Sequence, residues 1–156
     1  MTQGFKWLYL LTLAIWIGSI VFFSFVVAPT VFKTLKPEDA AALIRRIFSK
    51  YYLVGCGCGA VAFVCVGMLA MRRAFGLWPA LCSLILIAGM TGTDLWLRQS
   101  VMPHMNALRD RRAAMEQSAD LDAEWSALHR LSVQLNGAVL FAGLVLVFLV
   151  VFARVV

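Results

Sequence analysis

Charge is scarce in this chain. Only 14% of its 156 residues are Asp, Glu, Lys or Arg, where a soluble domain carries roughly 25%. Apolar residues make up 62%, and the mean hydropathy is +0.86. Too little polar surface is left to wet a globule, which excludes a soluble enzyme domain and a disordered chain. The four cysteines lie in or near apolar runs and do not make a disulfide framework. Alternation of β type, an internal repeat, a low-complexity tract and a lipidation or glycosylation signal are all missing. The first apolar run is too long for a secretory signal and has no small-x-small cleavage site, because Val27, Ala28 and Pro29 follow one another.

What is present is long uncharged runs. A bilayer core of about 30 Å takes roughly 20 apolar residues as a helix. Such runs cover about 7–32, 51–71 and 131–153, and the span 77–97 is uncharged to Thr93, with Leu95, Trp96 and Leu97 continuing the apolar character past Asp94. Only helices or closed barrels satisfy the backbone in lipid, so the expected fold is all-α: a polytopic four-transmembrane-helix bundle forming one domain over residues 1–156.

The polar remainder also reads as helix. Pro37, Glu38 and Asp39 form a helix start, and Ala40, Leu43, Ile44, Ile47 and Phe48 make an apolar stripe opposed by Arg45, Arg46 and Lys50. This predicts an interfacial amphipathic helix over 37–49. Residues 98–130 keep helical spacing and predict an extended antiparallel hairpin, with its turn near Gln117 and Ser118.

The formal charge of +6 and pI near 9.6 do not point to nucleic acid, because the basic residues sit at the ends of apolar runs. Lys33, Lys36, Arg45, Arg46 and Lys50, with Arg98, Arg109, Arg111, Arg112 and Arg130, occupy the two long links. Lys6, Arg72, Arg73 and Arg154 lie opposite. By the positive-inside count the long links are cytoplasmic and both termini face out, in a bacterial inner membrane.

Ionisable groups inside a membrane are costly, so each is a candidate for function. Asp94 and Arg98 are four apart in the order that favours a helix ion pair. His129, Ser132 and Asn136 fall on one helix face. These five form the candidate polar, ligand-binding cluster. His104 and His129 are equidistant from the expected turn, which would set them opposite each other. With Met102, Met105 and Cys58 they offer imidazole, thioether and thiol donors suited to copper. The same two histidines could serve as axial ligands of haem b. Gly55 and Gly59 make a small-xxx-small packing face. The other three runs contain no acid, which argues against ion-coupled transport, and no nucleophile, base and orienting acid converge on a catalytic site.

The sequence Trp16, Gly18, Ser19, Phe22, Phe23, Ala28, Pro29 and Phe32, then Phe48, Tyr51 and Tyr52, then Leu128-His129-Arg130-Leu131-Ser132 with Asn136, resembles the transmembrane protein 205-like family of bacterial and animal membrane proteins. The resemblance implies four spans. Animal members are loosely associated with tolerance to platinum drugs, which are soft metals. By motif match it carries over interest in Gly18, Pro29, His129, Ser132 and Asn136, with Gly18 and Pro29 read as helix-packing positions. A more distant likeness, to copper-resistance and protoporphyrinogen-oxidising membrane proteins, implies a histidine on the first helix, which this chain lacks.

The expectation is a non-enzymatic membrane protein handling a soft metal such as copper at one leaflet. The alternatives are a b-type haem protein, and a structural or partner-binding subunit. The lipid bilayer is the expected environment, with a homo-oligomer or a membrane complex as the form of any partner.

Overall fold

The computed structural model describes residues 2–114 and 118–152. Among these residues the chain is helical throughout its elements, without strands. Helix α1 spans Thr2–Phe22 and continues through a π-helical turn, Phe23–Val27, into α2, Ala28–Thr34. Helix α3 spans Pro37–Met71. Helix α4, Leu77–Trp96, continues through a second π-helical turn, Leu97–Val101, into α5, Met102–Ala113. Helix α6 spans Ala119–Phe152. Four continuous rods of 33 to 36 residues result, and a rise of about 1.5 Å per residue makes each near 50 Å long. That exceeds a hydrocarbon core of about 30 Å, so the rods project past the bilayer. In the last three rods the uncharged stretches lie toward the end with the 72–76 loop and the other end carries the charged projections, while in the first the uncharged run 7–32 fills nearly the whole rod.

The stripe expected as an interfacial helix is not a separate element. No proline or glycine interrupts 38–54, so 37–49 runs unbroken into the second span. Its buried members Ala40 and Ile44 pack with Phe23 and Val31 instead of facing headgroups. Helix α5 packs against α6. Ser118 accepts the Leu121 N–H at 3.2 Å, as an N-cap would. The tip near Gln117 and the last expected span residue, Ala153, lie outside the described residues.

The two π-helical turns repeat one local pattern. Ala28 N–H bonds to the Phe23 carbonyl and Met102 N–H to the Leu97 carbonyl, each five residues back. A proline follows immediately, Pro29 or Pro103, and lacks the N–H that would restore the four-residue register. The second interruption sits where its rod leaves its apolar stretch, and the first lies near the end of the uncharged run 7–32.

Packing order fixes the bundle. Helix α3 lies against α1 and α4, and α6 lies against α1 and α4. Neither α1 with α4 nor α3 with α6 is a packed neighbour pair among the described residues, so these pairs form the two diagonals. The core between them holds Tyr9, Leu13, Trp16, Ala62, Cys65, Val66, Ile87, Met90 and Leu146.

Candidate functional site

Both diagonals are bridged by polar side chains. Trp16 on α1 donates its indole N–H to Asp94 Oδ2 on α4 at 3.0 Å. On the other diagonal Tyr51 donates to Asn136 Oδ1 at 3.1 Å, and Asn136 Nδ2 donates to the Tyr52 hydroxyl at 3.3 Å. Asn136 also donates to the Ser132 carbonyl at 2.9 Å, while the Ser132 hydroxyl donates to the His129 carbonyl at 2.8 Å. Asp94 and Ser132 are buried, at 3% and 6% exposure.

Glycine makes the first bridge geometrically possible. A Cβ on Gly55 would strike Asp94 Oδ2 and come within 2.9 Å of the Trp16 indole nitrogen, and one on Gly59 would strike the Thr91 hydroxyl. The α3 backbone therefore forms the wall against which the Trp16–Asp94 pair is pressed. Gly18, expected to pack, has open space where its Cβ would stand. Pro29 is exposed at the second position of α2, where it follows the π-helical turn and does not mark a helix contact.

Asp94 and Arg98 do not form the expected ion pair. The carboxylate turns across the bundle to Trp16, while Arg98 Nε is buried without a hydrogen-bond partner. The physical reason is local: the chain enters a π-helical turn at Leu97, which changes the angular relation of residue 98 to residue 94.

The proposed metal donors are dispersed. His104 pairs with Glu124 at 2.8 Å on the exposed projection. His129 instead stacks on Trp125, with ring centroids 5.1 Å apart and planes 7° from parallel. Met102 and Met105 belong to an apolar cluster with Tyr52, Leu97, Val101 and Trp125. Parallel α3 and α6 place Tyr52 level with Asn136, which sets His129 level with Arg45. Cys58 is thirteen residues deeper, about 20 Å along the axis. Among the described residues no three His, Cys, Asp or Glu side chains gather as a metal site would require.

The projecting end is held by charge. Arg45 pairs with Asp110 at 2.5 Å and Arg112 with Asp122 at 2.9 Å. The Arg112 guanidinium lies over the Trp125 ring, 5.4 Å from its centroid. The hydrogen bond from Arg45 holds the Asp110 carboxyl below the usual carboxylate range, while burial pulls Arg109 down from the ordinary guanidinium value.

A family described as a domain of unknown function, DUF4149, matches residues 11–114. The chain belongs to the DUF4149 family. The DUF4149 match includes Trp16, Tyr51, Tyr52, Gly55, Gly59, Asp94 and Arg98, and it ends before Ser132 and Asn136. No curated protein and no solved structure matches the chain. With four helices long and apolar enough to cross a bilayer, this DUF4149 member is a multi-pass membrane protein.

Sequence reasoning picked out Asp94, Ser132 and Asn136 but missed Trp16, Tyr51 and Tyr52 as their partners. The signal was available in part. Aromatic residues with polar tips, placed at the depth of an intramembrane acid or amide, are its natural donors.

Proposed function

We propose that this DUF4149 protein is a non-enzymatic structural membrane component, with its interior polar groups holding four spans in one arrangement. The observation that carries this reading is the pair of crossed bridges, Trp16–Asp94 and Tyr51/Tyr52–Asn136, each joining helices that do not otherwise pack. The polar side chains at this depth, Asp94 and Asn136, meet Trp16, Tyr51 and Tyr52. Asp94 has no room for a guest on its α3 side, since even a methyl group on Gly55 would collide with it. The buried unpartnered groups near the projecting end are N–H donors, Arg98 Nε and Trp125 Nε1. Donors of that kind suit a water or an anion, not a metal cation.

The resemblance to the transmembrane protein 205-like family supports the alternative of soft-metal handling. That reading needs His104, His129 and a sulfur donor to come together, which requires His104 to leave Glu124 and His129 to leave Trp125. One gently purified sample decides between them by absorption spectrum and elemental analysis. The structural reading expects a colourless protein without stoichiometric metal and with a constant set of membrane partners or copies of itself. Near-stoichiometric copper that is lost in His104→Ala or His129→Ala, or a Soret band, overturns it.

A further inference from the structure

We propose that the end of the bundle bearing the 72–76 loop holds one anionic phospholipid, with its phosphate on Arg72 and an acyl chain in the groove beside Gly4 and Leu8. The groove has a volume of about 290 Å³ and is lined by Gly4, Phe5, Leu8 and Arg72. Its walls are apolar except for the one guanidinium. Arg72 lies over the Phe5 ring, 5.7 Å from the centroid, so the cation stands at the border of the groove. Gly4 leaves the floor open, since a Cβ there would meet nothing within 4 Å.

Charge selects the occupant. All eight Asp and Glu residues of the chain lie in 38–39, at 94 or in 110–124, so the loop end has Lys6, Arg72 and Arg73 and no acidic side chain beside them among the described residues. The loop itself is built to turn tightly with arginines in it. Arg73 N–H bonds to the Ala70 carbonyl at 2.9 Å and Ala74 N–H to the Leu69 carbonyl at 3.0 Å, the pattern of a Schellman helix end. The residue in the left-handed conformation there is Arg73, φ 53°, where glycine is usual. A basic cluster flanking an apolar groove at a membrane surface is the chemistry of anionic headgroup recognition. A zwitterionic lipid would gain the apolar contact without the net charge.

The test is native mass spectrometry of the full chain released from nanodiscs containing phosphatidylglycerol and phosphatidylcholine in equal amounts. Wild type should retain one phosphatidylglycerol in preference to phosphatidylcholine. Arg72→Gln should lower that retention about fivefold. Gly4→Leu should abolish it while leaving the melting temperature unchanged, because the new side chain fills the groove without entering the core. Arg46→Gln, at the opposite end, should retain lipid as wild type does. Equal retention of the two lipids by wild type, or unchanged retention in both groove variants, overturns the proposal. So does displacement of the lipid by an equal concentration of soluble glycerol phosphate, which would make this a free-phosphate site.

Discussion

The indole nitrogen of Trp16 and the carboxylate of Asp94 meet at 3.0 Å across a diagonal of the bundle that backbone packing leaves unbridged. A buried acceptor that loses its donor keeps the full cost of its desolvation, about 1–3 kcal/mol. Trp16→Phe should therefore lower unfolding free energy by about that amount in detergent. Asp94→Asn keeps an acceptor oxygen in a side chain of the same shape and should cost less. Thermal melts followed by circular dichroism measure both. Equal losses would mean that the bond depends on the charge of the carboxylate and that a neutral acceptor cannot replace it.

The glycines of α3 and α1 should respond in opposite ways. Gly55→Ala and Gly59→Ala push a methyl into Asp94 and Thr91, and overpacking of this kind costs about 1–3 kcal/mol. Gly18→Ala enters open space and should be neutral or stabilising by up to about 1 kcal/mol, the helix preference for alanine. The same melts rank the three variants, and a destabilised Gly18→Ala would contradict the placement of α1.

The second diagonal is suited to a double-mutant cycle. Tyr51→Phe removes the donor to Asn136, and Asn136→Leu removes its acceptor together with the bond to Tyr52. Hydrogen bonds between membrane helices average about 0.6 kcal/mol by such cycles and reach about 1.7. A positive coupling in that range is expected. Zero coupling would show that the Tyr51 hydroxyl finds a replacement partner when Asn136 is lost.

At the projecting end, pH dependence should be confined to acid. Asp110 has a lowered carboxyl value because Arg45 donates to it. A group depressed in the folded state stabilises fully above the ordinary Asp value of about 3.9, and that contribution fades as pH falls through the depressed value. Arg45→Gln should raise the Asp110 titration, followed by carboxyl NMR, toward the ordinary carboxylate range. The melting temperature of the variant should differ in its pH dependence only below about pH 4. A titration that does not move would mean that other cations set the Asp110 value.

How much of this was legible in the sequence depends on the range of the interaction. The spans follow from the length of uncharged runs, and the α5–α6 hairpin follows from helical spacing and a turn near its middle, which the Arg112–Asp122 pair respects. Asp94, Ser132 and Asn136 stand out because polar groups are rare at that depth. Their partners do not, because the Trp16–Asp94 bond depends on which helices are diagonal, and one-dimensional spacing carries no information about that. The same ignorance misdirected His104 and His129. Depth put them level, but rotation about each helix axis sent one to Glu124 and the other to Trp125. The Asp94–Arg98 expectation failed for a shorter-range reason, since four-residue spacing presumes an α register that the turn beginning at Leu97 interrupts.

That interruption leads to the last prediction. A π-helical turn carries one residue more than the α register needs, so the Phe23–Val27 turn should tolerate the loss of one. Deleting Ser24 would let α1 run into α2 as a continuous α-helix while both flanks keep their facing. Phe23, or the residue that takes its place, could still contact Phe48 and Tyr51, whose rings now lie 4.8 and 5.1 Å away. Deleting Ala14 from regular helix instead rotates every residue on one side of the cut by about 100° relative to the other. It would turn Trp16 away from Asp94, or Tyr9 and Leu13 out of the core. The Ser24 deletion should keep a cooperative melt at a cost below about 2 kcal/mol, and the Ala14 deletion should abolish the melt. If the two deletions are equally damaging, the turn holds a backbone geometry that the bundle needs in its own right, and Pro29, which follows it without an N–H to give, would be the residue to examine next.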